Sequence, residues 1–203
     1  MTDASSCEDR IRALCDAQDY AAAATLVIES YGPEILAFLI ARLRNRSSGE
    51  DVYGTFAEKL WVGLPQFEWR CSVRSWAYRL ARNAANDYAT ALPNQRRHNV
   101  ALSQHPALSQ LIDRVRSTTQ AYRQTETKDR VRELREQLSP DDQLLLILRV
   151  DKTMGWREIA QAMAEDGEPL EGAALAKEAS RLRKRFERVK ERIRELAQAK
   201  GLL

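Results

Sequence analysis

Two stretches of this chain carry side chains suited to chemistry, and in both the chemistry is recognition of a phosphate-rich polymer. The first reads SVRSWAYRLARNAANDY, Ser72 to Tyr88. Wound at about 100° per residue, Val73, Ala77, Leu80, Ala84 and Tyr88 fall on one stripe. Ser75, Arg79, Arg82 and Asn86 lie opposite, with Trp76 and Asn83 at the flank. Just upstream, Phe67-Glu68-Trp69-Arg70 places two more aromatics beside an arginine. Arginine contacts phosphates, asparagine pairs with base edges, and aromatic rings stack on unpaired bases. A solvated polar helix face above core tryptophans has the same pattern.

The second stretch lies near the C-terminus. Leu175, Ala179, Leu182, Phe186, Val189 and Ile193 form an apolar stripe, and Lys177, Arg181, Lys184 and Arg188 line the opposite side. Ser180 to Arg194 holds eight cations against two acids. A short helical segment, GWREIAQAM, precedes it, giving the form of a helix-turn-helix whose second helix enters a major groove. The turn is longer than the usual few residues, which blurs where that helix starts. A basic face on a helical bundle is the competing reading.

Little else in the chain carries chemistry. No nucleophile–base pair, metal-ligand spacing or phosphate loop is present, so the sequence points away from an enzyme and calls for no cofactor. Cys7, Cys15 and Cys71 are odd in number and lack CxxC spacing, as expected of reduced thiols. His98 and His105 lie in a polar stretch with nothing nearby to complete a site.

These segments need positioning by folded elements, and the composition supplies them. Of 203 residues, 44% are hydrophobic and 30% charged, the balance of a globular protein. No uninterrupted apolar run approaches the ~20 residues of a bilayer span, and the N-terminus lacks a signal-peptide pattern. The expected location is the cytoplasm, with no membrane partner. The net charge of +3 is unevenly spread. Residues 1–69 hold six cations and eleven acids, residues 70–150 fourteen and eight, and residues 151–203 twelve and ten. An acidic front suits a basic protein surface; the basic remainder suits nucleic acid.

Periodicity is helical throughout, so the expected fold is all-α. Helices are predicted at 19–30 and 33–44, separated by Tyr31-Gly32, then at 49–62 and 72–88. The polar stretch Ala91–Pro106 reads as a linker. Further helices are expected near 107–120, 128–138, after the caps of Ser139-Pro140-Asp141-Asp142, at 156–164 and at 173–199. Together these predict two helical domains, 1–90 and 128–203, joined by a linker over 91–127.

These residues resemble the compact sigma factors of bacterial RNA polymerase, the extracytoplasmic-function (group IV) members of the sigma-70 family. The family's first domain runs roughly AEDLVQEVFLRLW, a spacer, F, then S-x-R-x-W-L-x-R-I-A-R-N. This chain has GEDVYGTFAEKLW, Phe67, then SVRSWAYRLARNAAND. The family's C-terminal domain runs L-S/P, E-I-A, then S-R-L-x-R-A. Leu138-Ser139-Pro140, Glu158-Ile159-Ala160 and Ser180-Arg181-Leu182-Arg183-Lys184 are similar to it.

The resemblance implies sigma domain 2 and a helix-turn-helix domain 4, with core RNA polymerase and promoter DNA as partners. It implies minus-ten binding by Phe67, Trp69, Arg70, Arg74, Trp76, Arg79, Arg82 and Asn83. It implies minus-thirty-five binding by Lys177, Ser180, Arg181, Lys184 and Arg188. Polymerase docking would fall to Glu50, Asp51, Thr55 and Glu58. A stand-alone helix-turn-helix regulator and a helical adaptor are the rival readings.

One departure from the family pattern stands out. Gly54 and Thr55 interrupt an amphipathic helix where family members usually carry glutamine and an acid. Thr55 is expected to be exposed between Asp51 and Lys59, and Tyr53 to be packed. Phosphorylation of Thr55 would restore the missing negative charge at a surface that meets a basic coiled coil of polymerase. The resemblance implies a Ser/Thr kinase or an anti-sigma factor as regulator; simple drift at Thr55, with Asp51 and Glu58 sufficient for docking, is the competing reading.

Overall fold

The computed structural model describes residues 3–90, 106–120, 133–135, 137–165 and 170–201, and every regular element among them is helical. The chain divides into two compact units, Met1–Tyr122 and Arg123–Leu203.

In the first unit α1 (Asp3–Asp16), α2 (Tyr20–Leu43), α3 (Arg46–Gly63), α4 (Val73–Thr90) and α5 (Pro106–Gln120) surround one core. α2 is its spine and touches all four others. Asp19 caps it, its carboxylate accepting from the Ala22 N–H at 3.0 Å. Two helices were expected here, but α2 runs unbroken through Gly32 and Pro33. Proline removes one i→i−4 bond, yet Val27, Ile28, Tyr31, Ile35, Leu36 and Leu39 are all buried around it. Burial of that apolar surface on both sides outweighs one lost hydrogen bond. α2 is also long and apolar enough to cross a membrane by length and composition, although most of that stretch is buried inside the unit.

α3 begins earlier than its periodicity suggests. Asn45 accepts from the Ser48 N–H at 2.9 Å and sets the start at Arg46. Two glycines mark where α3 and α2 approach. A Cβ on Gly49 would lie 2.8 Å from Ile40 Cα, and one on Gly32 would run into the Tyr53 hydroxyl. Only a residue without a side chain fits either crossing.

α5 falls within the stretch expected to be a linker. Its Leu108, Leu111, Ile112 and Val115 are buried, and it packs on α2 and α3. Arg116 donates to the Glu50 carbonyl at 2.8 Å. The segment 106–120 thus belongs to the first unit, because its apolar stripe has a partner there. Residues 91–105, with His98 and His105, lie outside the described residues.

The second unit contains α6 (Pro140–Leu146), a π-helical turn (Ile147–Asp151), α7 (Trp156–Ala162) and α8 (Gly172–Ala199). The predicted helix over 128–138 falls mostly outside the described residues, of which 133–135 are helical. Ser139 caps α6 as expected, accepting from the Asp142 N–H at 3.2 Å. α8 packs on α7 and α6 through Leu175, Ala179, Leu182, Phe186 and Val189. Ile193, expected on that stripe, is half-buried. Gly201, at φ +64°, follows its end.

Candidate nucleic-acid interface

α4 is held from its first turn by an element far away in sequence. The Glu8 carboxylate, on α1, accepts from the N–H groups of Val73 at 2.9 Å and Arg74 at 3.0 Å. Ser72 Oγ accepts from the Ser75 N–H at 3.0 Å, and the Trp76 N–H reaches the Ser72 carbonyl. The N–H groups of Val73, Arg74, Ser75 and Trp76 in the first turn are therefore satisfied. Tyr31 adds a 3.3 Å bond to Glu8. Burial, and then the Glu8 charge, push the Tyr31 phenol well above the ordinary tyrosine range.

The buried face of α4 is wider than its apolar stripe. Val73, Ala77 and Ala84 face inward as expected, and so do Ser75, Trp76, Tyr78, Ala81, Arg82 and Ala85. Leu80 and Tyr88 are only half-buried. Small alanines let α2 and α3 pack on two sides of the helix, and no single stripe describes that. Arg74 makes a two-pronged ion pair with Glu34, at 2.9 and 3.1 Å, in a site where both are largely buried. Burial disfavours its charge, but the Glu34 bonds and charge outweigh this and its pKa rises. Arg74 and Trp76, expected at the DNA face, therefore hold the fold; Arg82 is 9% exposed.

What remains accessible is a loop and one edge of the helix. Phe67 and Trp69 are half-buried, Arg70 is exposed and paired with the exposed Glu68 at 2.9 Å, and Arg79 and Asn83 are half-buried. Phe67 stacks on Trp76 with centroids 4.6 Å apart and leans on Trp69 at 5.0 Å. Trp69 has φ +58°, a left-handed conformation unusual for so bulky a residue. Arg79 also acts on Cys71, opposing the upward pull of burial on that thiol. Asn86, expected on the polar face, accepts from Arg42 at 2.6 Å, and Lys59 pairs with Asp87 at 2.7 Å.

With this geometry in view, comparison with known proteins bears on one segment. Residues 27–93 match the family model of sigma-70 region 2. The match covers about a third of the chain and supports a likeness of this segment to the sigma-70 family. The matched segment comprises most of α2, all of α3 and α4, and the aromatic loop between α3 and α4. Core RNA polymerase and promoter DNA are the partners that the family implies. No curated protein and no solved structure matches the chain.

On α3 of region 2, Asp51 is exposed, while Glu50 is half-buried and paired with Arg46 at 2.6 Å. Glu58 is half-buried, with Oε1 enclosed. Thr55, expected to be exposed, is half-buried, and Gly54 is buried. Tyr53 is fully buried, as its place near the stripe suggested. Its hydroxyl has no hydrogen-bond partner among the described residues, and burial drives its pKa up against the opposing charge of Arg116.

In the second unit the five residues expected to read duplex DNA share one open face. Lys177, Ser180, Arg181, Lys184 and Arg188 are all exposed on α8, away from its buried stripe. Arg181 pairs with Glu178 at 2.9 Å but is itself 69% exposed, so that pair is weak. Beneath them, Trp156 of α7 meets Phe186 edge-on at 5.5 Å, and Arg149 lies 4.7 Å over the Trp156 ring. Sequence reasoning missed Glu8 and Arg12, since α1 carries no motif. Ile11 and Cys15, both buried at helical spacing, were the available signal.

Proposed function

We propose that this protein is an alternative sigma factor of the extracytoplasmic-function type that binds core RNA polymerase and directs promoter-specific initiation. The observation that carries it is the Phe67–Arg70 loop and the Arg79–Asn83 edge of α4, within a segment matching sigma-70 region 2. Phe67, Trp69, Arg70, Arg79 and Asn83 contact an unpaired minus-ten strand. Arg74, Trp76 and Arg82 support that surface from within. A flipped base gains stacking and hydrogen bonds that offset the few kcal/mol of unpairing. The open face of α8 reads a minus-thirty-five duplex, with α7 and α8 as a helix-turn-helix domain 4.

α3 docks on polymerase through Glu50, Asp51, Thr55 and Glu58. Asp51 supports this reading as an exposed acid at the front of the helix. Phosphorylation of Thr55 by a Ser/Thr kinase adds about −1.5 to −2 charges there and strengthens docking. Thr55→Glu should bind core polymerase more tightly than Thr55→Ala in direct titration; equal affinities would end the phosphorylation idea.

Run-off transcription on genomic fragments, with core polymerase plus this protein, tests the whole. Defined start sites that depend on both components are the expected result. Tight, specific duplex binding by the protein alone, with no dependence on polymerase, would favour a stand-alone regulator.

A further inference from the structure

The aromatic loop has a partner outside the segment that matches region 2. Trp76, Phe67 and Trp69 form a series of ring contacts at 4.6 and 5.0 Å, and α1 continues it. The Arg12 guanidinium lies 5.2 Å from the centroid of the Trp69 ring. Arg12 is exposed and makes no ion pair among the described residues, although Asp9 and Asp16 lie one turn away on the same helix. Two further cations, Arg70 and Arg79, flank the loop. Of the nearby acids, Glu68 pairs with Arg70 and Glu8 is engaged by the α4 backbone. Trp69 itself sits in a left-handed conformation, the kind of local strain that surrounding contacts must maintain.

We propose that Arg12 is a DNA-binding residue of this protein and completes the minus-ten surface from α1. Without DNA its guanidinium lies on the Trp69 ring. A base stacks on an aromatic ring more strongly than an exposed cation does, so an unpaired base displaces it. The freed guanidinium then contacts the phosphate beside that base. This inference rests on the minus-ten reading of the loop, which the same experiment checks separately.

The test is anisotropy of a labelled, mixed-sequence DNA single strand titrated with the full-length protein across a salt series. Trp69→Ala removes the stacking platform and should cost about five- to a hundredfold in affinity. Arg12→Ala should weaken binding about three- to tenfold at low salt. It should also make the log–log salt slope shallower by about 0.7, the share of one phosphate on a single strand. Arg12→Lys, which keeps the charge, should keep the slope. Arg12 is exposed on its helix, so neither variant removes core packing; matching helical content by circular dichroism checks this. If Trp69→Ala and Arg70→Ala weaken binding while Arg12→Ala matches wild type in affinity and slope, the Arg12 role is refuted and the loop reading stands. Tighter binding by Arg12→Ala also overturns the proposal, since Arg12 would then only shield the ring. If wild type binds no better than Trp69→Ala, the minus-ten reading itself fails.

Discussion

Replacing Glu8 by alanine should loosen the start of α4 without touching any residue of that helix. The Glu8 carboxylate accepts two N–H bonds from the first turn, at 2.9 and 3.0 Å, and one from the Tyr31 hydroxyl at 3.3 Å. A cap of this kind contributes about 0.5–2 kcal/mol, and a carboxylate at a helix N-terminus adds about 0.3–1 kcal/mol. Taken with the long Tyr31 bond, Glu8→Ala should cost roughly 3 kcal/mol. Glu8→Gln keeps one acceptor oxygen and loses the charge, so about half that is expected. In a Trp156→Phe background, fluorescence reports only Trp61, Trp69 and Trp76 of the first unit. Urea midpoints then give the stability of that unit, and amide exchange at Val73 and Arg74 gives the local effect. The Glu8→Ala protein should exchange these two amides faster than global unfolding allows. Unchanged exchange there, with an unchanged urea midpoint, would refute the capping argument.

Further outcomes follow from the same structure. Gly32→Ala should destabilise the first unit by about 1–3 kcal/mol through overpacking against Tyr53, and Tyr53→Phe should restore most of it in the double variant. Tyr53→Phe alone removes a buried hydroxyl without a partner and should be neutral or stabilising, while Gly49→Ala meets Ile40 backbone and should have no such rescue. Burial raises the phenols of Tyr31 and Tyr53 in the folded protein, so the stability they hold is complete below the ordinary tyrosine pKa of about 10. It should be lost above that pH, by up to ~1.4 kcal/mol per pH unit for each tyrosine, and Tyr→Phe variants should flatten the alkaline fall in urea midpoint. Arg181→Ala with Lys184→Ala should reduce use of promoters that depend on a minus-thirty-five element and lower the duplex salt slope by about 1.8. Both side chains are exposed, so core-polymerase binding and stability should stay as in wild type; equal loss on every template, with core binding lost too, would count against that face.

Much of this organisation was legible in the sequence, for a physical reason. Helical periodicity reports which residues must leave water, and it located α3, α4, α6, α7 and α8 to within a few residues. The basic face of α8 was equally readable, because a surface helix packed on one side leaves its opposite face open. The residues SVRSWAYRLARNAAND also carried the family resemblance, and the match over 27–93 supports it. The cap at Ser139 was legible too, because such a signal acts within one turn of itself.

Contacts between distant segments required the tertiary structure. Pro33 looks like a helix boundary until the packing on both sides of it is seen to hold α2 together. Arg74 and Trp76 look like DNA contacts by type and spacing. Glu34, forty residues away, and Phe67 turn them inward. Glu8 and Arg12 belong to no motif, yet one caps α4 and the other lies on Trp69. The segment 106–120 resembles part of a spacer until its four apolar residues meet α2 and α3. In GEDVYGTFAEKLW the sequence determined an amphipathic helix with a missing charge. Only packing decided that Gly49 marks a close crossing, that Gly54 lies inside, and that Thr55 sits at the half-buried margin of the helix. Side-chain spacing along one helix is set by covalent geometry, whereas burial depends on which other helix arrives to cover it.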